Sequence, residues 1–244
     1  MIEQTVEIPT KDGVMTTFFV HPEREGPHPL ILFLMDAAAI REELRDMARR
    51  LASVGYYVML PNLYYRQGVM ELADLPPLPE AEHRARMFGF MATLTIPMVM
   101  EDADALLVFA RRDPAASNRK AGVVGYCMSG QYAINLAARH PERIAAAASI
   151  HGVRLVTDQS DSPHLAAQKA RGELYFACAE IDQYAPLETV EALAQALKAH
   201  RVNAEVELYP GVHHGFVFPQ RAAYDKAAAE RHWERLFSLF SRKL

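Results

Sequence analysis

The chain of 244 residues has little of what marks several large classes of protein. It holds only two cysteines, Cys127 and Cys178, far apart and in neither a metal-ligand nor a redox-pair spacing. No apolar run approaches the ~20 residues needed to span a bilayer. The start, Met1-Ile2-Glu3-Gln4-Thr5-Val6-Glu7, lacks the basic-then-apolar layout of a secretory signal. Clusters of basic residues are absent and the net charge is −4, which argues against nucleic acid as the main partner. Repeats, low-complexity tracts and linkers rich in Gly, Ser or charge are missing as well. These absences predict one cytoplasmic domain over residues 1–244, with no membrane or nucleic-acid partner. Oligomeric state is not legible from them.

What is present is an alternation of short apolar runs with amphipathic segments. Strands are expected over 14–20, 28–34, 56–60, 123–126, 144–150, 173–178 and 204–208. The run at 28–34 is nearly all apolar, as in a strand buried on both faces. Leu44, Met47, Ala48, Leu51 and Ala52 recur at helical spacing, and Gly55 stands where a C-cap glycine is expected. Further helices are expected over 101–112, 128–139, 187–198 and 221–239. Residues 66–81, with Leu75-Pro76-Pro77-Leu78-Pro79 at their centre, read as an irregular segment that shapes or covers a site. The alternation predicts an α/β fold with a mostly parallel sheet and chemistry at the strand C-terminal ends.

One hexapeptide stands out. Gly125-Tyr126-Cys127-Met128-Ser129-Gly130 follows the apolar run Gly122-Val123-Val124 and precedes an alanine-rich helical segment. A reactive residue between small residues on a strand-to-helix turn is the layout of a nucleophile elbow, here with cysteine in place of the usual serine. The plainer reading of Cys127 is a small buried hydrophobe. Cys178, inside an apolar strand, reads as packing.

An elbow predicts an acid and then a histidine, each after a later strand. Asp182 follows the strand at 173–178, with Glu180 as its rival. His214 follows the strand ending near Leu208, with His213 as its rival. The backbone N–H groups of Met128 and Ala37 are the expected oxyanion donors. Asp36, just after the strand at 28–34, reads either as a helix cap or as a contact of the thiol. The remaining histidines lack ligand spacing, so no metal is expected. His151-Gly152, at a strand end, reads as pocket lining or as a plain turn. The hexapeptide lacks the dinucleotide glycine pattern, so no organic cofactor is expected.

These motifs, together with Met35-Asp36, Leu60-Pro61-Asn62-Leu63-Tyr64 and His214-Gly215-Phe216, resemble the dienelactone hydrolase family of α/β-hydrolases. The resemblance covers nearly the whole chain. It implies an α/β-hydrolase fold with helices on both faces of the sheet. It also implies ester or lactone hydrolysis through an acyl-thioester, with Cys127 as nucleophile, His214 as base and then acid, and Asp182 orienting it. In the family's type enzyme a glutamate after the buried strand meets the resting cysteine; here Asp36 is one methylene shorter. That enzyme also has an arginine four residues past the catalytic histidine, which contacts the substrate carboxylate. Here the position is Phe218, implying a more apolar substrate, with Arg66, Arg84 and Arg86 as candidate replacements. A thioesterase or acyl transferase on the same scaffold, or a binding protein without catalysis, are the alternatives.

Overall fold

The computed structural model describes residues 1–24 and 26–244, and its contacts group into two compact units, Met1–Asn118 and Arg119–Leu244. The first unit begins with β1 (Ile2–Thr10) and β2 (Gly13–His21), an antiparallel hairpin turning at Lys11-Asp12. The Asp-Gly step suits that turn, because Gly13 takes a φ of 146°. There follow β3 (His28–Leu34), α1 (Glu42–Ser53), β4 (Tyr57–Pro61), α2 (Glu80–Ala92) and α3 (Ile96–Arg112). The strands lie in the order β1-β2-β4-β3, with β3 parallel to β4 and β2 antiparallel to β4. Leu44, Met47, Ala48, Leu51 and Ala52 form the buried stripe of α1, as their spacing predicts.

The division between the units falls within β5 (Ala116–Tyr126). After it come α4 (Gly130–Arg139), β6 (Ile144–Ile150), the short α5 (Pro163–Ala166), β7 (Glu173–Ile181), α6 (Leu187–Ala199), β8 (Ala204–His213) and α7 (Lys226–Lys243). These four strands are parallel and ordered β5-β6-β7-β8. Val123, Val124, Ala146, Ala147, Ala148, Leu174, Phe176 and Ala177 are fully buried, so helices shield both faces of this half-sheet. The alanine run of β6 lets its neighbours approach closely.

Several boundaries differ from the sequence reading, for physical reasons. Of β1 only Ile8 is buried, so an exposed edge strand left no strong apolar period. Residues 66–81 contain two single turns of 3-10 helix, Tyr65–Gln67 and Leu72–Asp74, and then enter α2. None of the residues of α2 is buried, so it carries no apolar stripe to betray it. β8 continues through Pro210-Gly211 to His213, because the pairing with β7 shifts register between Ala179 and Ile181. Gly211 takes a φ of 71° there, and the irregularity absorbs the proline.

Candidate active site

The elbow forms as the hexapeptide predicts. β5 ends at Tyr126, Cys127–Ser129 make one turn of 3-10 helix, and α4 starts at Gly130. Cys127 takes a φ of 52°, a left-handed conformation costly for a residue with a side chain. A Cβ on Gly125 would overlap the Ser129 carbonyl, so only glycine permits the strand to turn so sharply. The serine at 129 is itself fully buried. The Met128 N–H opens the turn one residue past the sulfur, at the positive end of the helix that follows.

Three strand ends bring the predicted triad together within the second unit. His214 follows β8 directly, and its Nδ1 lies 2.7 Å from Asp182 Oδ2. Asp182 follows β7 and is only 6% exposed. Its other oxygen, Oδ1, accepts the Tyr184 N–H at 2.8 Å and the Ala185 N–H at 3.3 Å, so the carboxylate is aimed by its own loop. The Tyr184 ring in turn stands edge-on to His214, 5.0 Å between centroids. Burial alone would lower the His214 pKa. The hydrogen bond to Asp182 and the nearby Cys127 sulfur outweigh it and push the pKa up to about 9. His214 Nε2 is shielded from solvent and is left to face the Cys127 sulfur.

The two rivals are placed differently. Glu180 accepts the Gly211 N–H at 2.6 Å on the bulged part of β8, and His213 is exposed.

Other expected site residues are occupied elsewhere. Arg66 makes a two-pronged ion pair with Asp102, at 2.8 Å through each of its terminal nitrogens, and its Nε donates to Asp12 at 2.9 Å. That correction removes it as a ready anchor for a substrate carboxylate. Arg84 pairs with Glu80 at 2.9 Å, and Arg86 donates to the Pro76 carbonyl at 2.8 Å. Phe218 is a second correction: it is 0% exposed and packs against His151 and Tyr126, so it lies behind the histidine rather than lining an open pocket.

In the first unit, Asp36 is fully buried and accepts a 2.6 Å hydrogen bond from Arg41 Nη1, while α1 is capped by Arg41 without a side-chain bond. Asp36 is therefore an ion-pair partner and not a helix cap. Ala37 sits in the adjoining turn, its carbonyl held by the Tyr64 hydroxyl at 3.0 Å.

Three groups around His214 escaped the sequence reading or were left open by it. His151 is 1% exposed and edge-on to His214 at 4.8 Å. His232, on α7, reaches the Tyr126 hydroxyl at 3.1 Å. The Arg221 guanidinium lies 4.7 Å from the centre of the Phe218 ring. No motif marks any of the three: His151 comes from the loop after β6, His232 from α7, and Arg221 from the turn that follows Phe218. No cluster of three or more His, Cys, Asp or Glu suited to a metal is found among the described residues. No helix among them is long and apolar enough to cross a membrane.

A protein from Methylorubrum extorquens, provisionally named carboxymethylenebutenolidase, is 29% identical over 98% of this chain and 81% of its own length. An Escherichia coli K12 protein with the same provisional name is 29% identical over 96% of this chain and 84% of its own. Among solved structures, a provisional dienelactone hydrolase from Klebsiella pneumoniae superposes with a TM-score of 0.87 at 26% identity, covering 98% of both chains. These neighbours share the α/β-hydrolase fold. The model of the dienelactone hydrolase family matches residues 15–244, and the chain belongs to that family.

Proposed function

We propose that this protein hydrolyses a carboxylic ester or lactone through a covalent thioester on Cys127, with His214 as proton carrier and Asp182 as its anchor. The observation that carries this reading is the 2.7 Å Asp182–His214 contact beside a cysteine held at a left-handed φ on the elbow. Asp182 and the Cys127 sulfur favour the protonated imidazole, so a proton passed from the thiol to His214 leaves a thiolate as nucleophile.

The thiolate attacks the carbonyl carbon, and the Met128 N–H receives the developing oxyanion. Collapse expels the alcohol oxygen, which takes the proton from His214. Water then gives a proton to His214 while its oxygen attacks the thioester carbon. The second collapse returns the electron pair to the Cys127 sulfur and frees the acid. Because a thiolate leaves more readily than an alkoxide, adducts of plain alkyl esters revert easily. Activated carbonyls such as enol lactones and aryl esters are therefore the favoured class.

The test is turnover of p-nitrophenyl acetate. Cys127→Ala is expected to fall to the blank rate with an unchanged circular dichroism spectrum. Retained activity in that variant overturns Cys127 as the nucleophile. Cys127→Ser is expected to gain on simple alkyl esters relative to the parent.

A further inference from the structure

His151 follows β6 and is almost wholly buried, yet its ring nitrogens meet no hydrogen-bond partner beyond the residue's own backbone. Leaving a buried polar group unbonded costs about 1–3 kcal/mol. The walls around it would suit a phenylalanine without that cost: Tyr126, Phe216 and Phe218 lie 6.1, 5.8 and 5.4 Å away between ring centroids. The fourth wall is His214, at 4.8 Å and nearly perpendicular. Two touching imidazoles thus carry three shielded nitrogens that meet nothing beyond the Cys127 sulfur and the His151 backbone, and one of them is the Nε2 of the base itself. Shielding in the resting enzyme is therefore common to His151 and to the nitrogen that must do the chemistry.

The backbone fixes this ring in place. His151 and Arg154 take left-handed φ values of 37° and 55°. The His151 N–H donates to the Ala177 carbonyl at 2.7 Å, and the Val153 N–H to the Cys127 carbonyl at 3.2 Å. The loop is thereby tied both to β7, which leads to Asp182, and to the nucleophile. Burial keeps His151 neutral, reinforced by positive charge at His214 and Arg221. A neutral imidazole offers one donor and one acceptor, whereas a phenylalanine in the same box offers neither.

We propose that His151 is the second hydrogen-bond partner of the water that hydrolyses the acyl-enzyme. The proposal rests on the thioester reading above. With Cys127 acylated, no thiolate faces His214, and its Nε2 must accept a proton from water. A water held at one point only is free to swing; a second bond to the neighbouring imidazole aims its oxygen at the thioester. One O–H bond breaks, the proton goes to His214, and the new C–O bond forms. The C–S bond then breaks toward sulfur, and His151 ends with the proton count it began with.

The experiment compares the parent with His151→Phe and His151→Gln on p-nitrophenyl acetate. Enzyme in excess reads acylation from the first turnover, kcat reads the full cycle, and intact mass reads acetyl groups on Cys127. In His151→Phe, acylation is expected within about twofold of the parent, with kcat down about tenfold and acetyl-enzyme accumulating. His151→Gln keeps a donor and an acceptor and is expected to recover most of kcat. An unchanged His151→Phe overturns the proposal in favour of packing. A parallel fall of acylation and kcat overturns it in favour of a role in placing His214. Absence of acetyl on Cys127 in the parent and in every variant overturns the thioester reading, and the proposal with it. Should His151→Phe not fold, His151→Leu set against His151→Gln carries the same comparison.

Discussion

His232 and His151 are both buried to within 1% exposure and both rest against the Tyr126 ring, yet their bonding is opposite. His232 Nδ1 lies 2.8 Å from the Ala229 carbonyl, which makes it the donor. Its Nε2 must then accept from the Tyr126 hydroxyl at 3.1 Å. The ring joins α7 to the last residue of β5 and is complete as it stands. His151 meets nothing beyond its own backbone. Intermediate in bonding is His214, with Nδ1 anchored to Asp182 and Nε2 facing the Cys127 sulfur. What the ring nitrogens meet sets the three histidines apart, and on the proposed mechanism it separates one that holds the fold from two that handle protons. Burial alone does not separate them.

The largest effect is expected at the middle member of this series. His214→Gln should cost at least about 10⁴-fold in kcat/KM on p-nitrophenyl acetate, while its circular dichroism spectrum stays that of the parent. A loss under tenfold breaks the comparison.

Asp182→Asn should cost roughly 10²–10⁴-fold in the same assay. It also removes the strongest influence that raises the His214 pKa, so Cys127 loses its imidazolium partner at lower pH. The His214 titration, followed by proton NMR from pH 5 to 10, should move to lower pH in this variant.

His232→Leu should reverse the pattern. It removes the ring that links the Tyr126 hydroxyl to α7 and is expected to lose about 2–4 kcal/mol in urea unfolding. Activity per folded molecule should stay within about threefold of the parent. A greater loss of activity than of stability makes His232 part of the chemistry.

The smallest effects are pH slopes of stability, and they run in opposite directions. His151 is depressed in the folded state, so its neutral form contributes stability above its unfolded pKa near 6.5. That contribution is lost as the pH falls below that value. His214 is raised, so its contribution is complete below pH 6.5 and is lost as the pH climbs through about 9. Urea midpoints between pH 4.5 and 9.5 should therefore flatten on the acid side in His151→Phe and on the alkaline side in His214→Gln.

The legible parts of the site were those governed by local geometry. A glycine two residues before a cysteine, on a strand entering a helix, is demanded by the turn itself, since a Cβ at Gly125 collides with the Ser129 carbonyl. Strands buried on both faces, such as β3 and β6, have the bounds that their apolar runs predict. Elements with weak burial were harder to see: β1 is an exposed edge, α2 has no buried residue, and β8 runs through a proline by means of an irregular register. Residue type alone misled at Arg66 and Phe218. An arginine near a site looks available until Asp102 and Asp12 are placed beside it. A phenylalanine looks like pocket lining until His151 and Tyr126 close over it.

By itself the sequence determined the family, the alternation of strand and helix, the elbow with Cys127 and the order in which Asp182 and His214 follow. All of these depend on neighbours along the chain or on the fixed order of strand ends. Only the tertiary structure sets Asp182 apart from Glu180, and His214 from His213, in placement, because one carboxylate oxygen meets one ring nitrogen in space. It alone also set apart three buried histidines of identical chemistry. A ring nitrogen's function follows from which donor or acceptor the fold brings to it, and nothing adjacent in the chain records that.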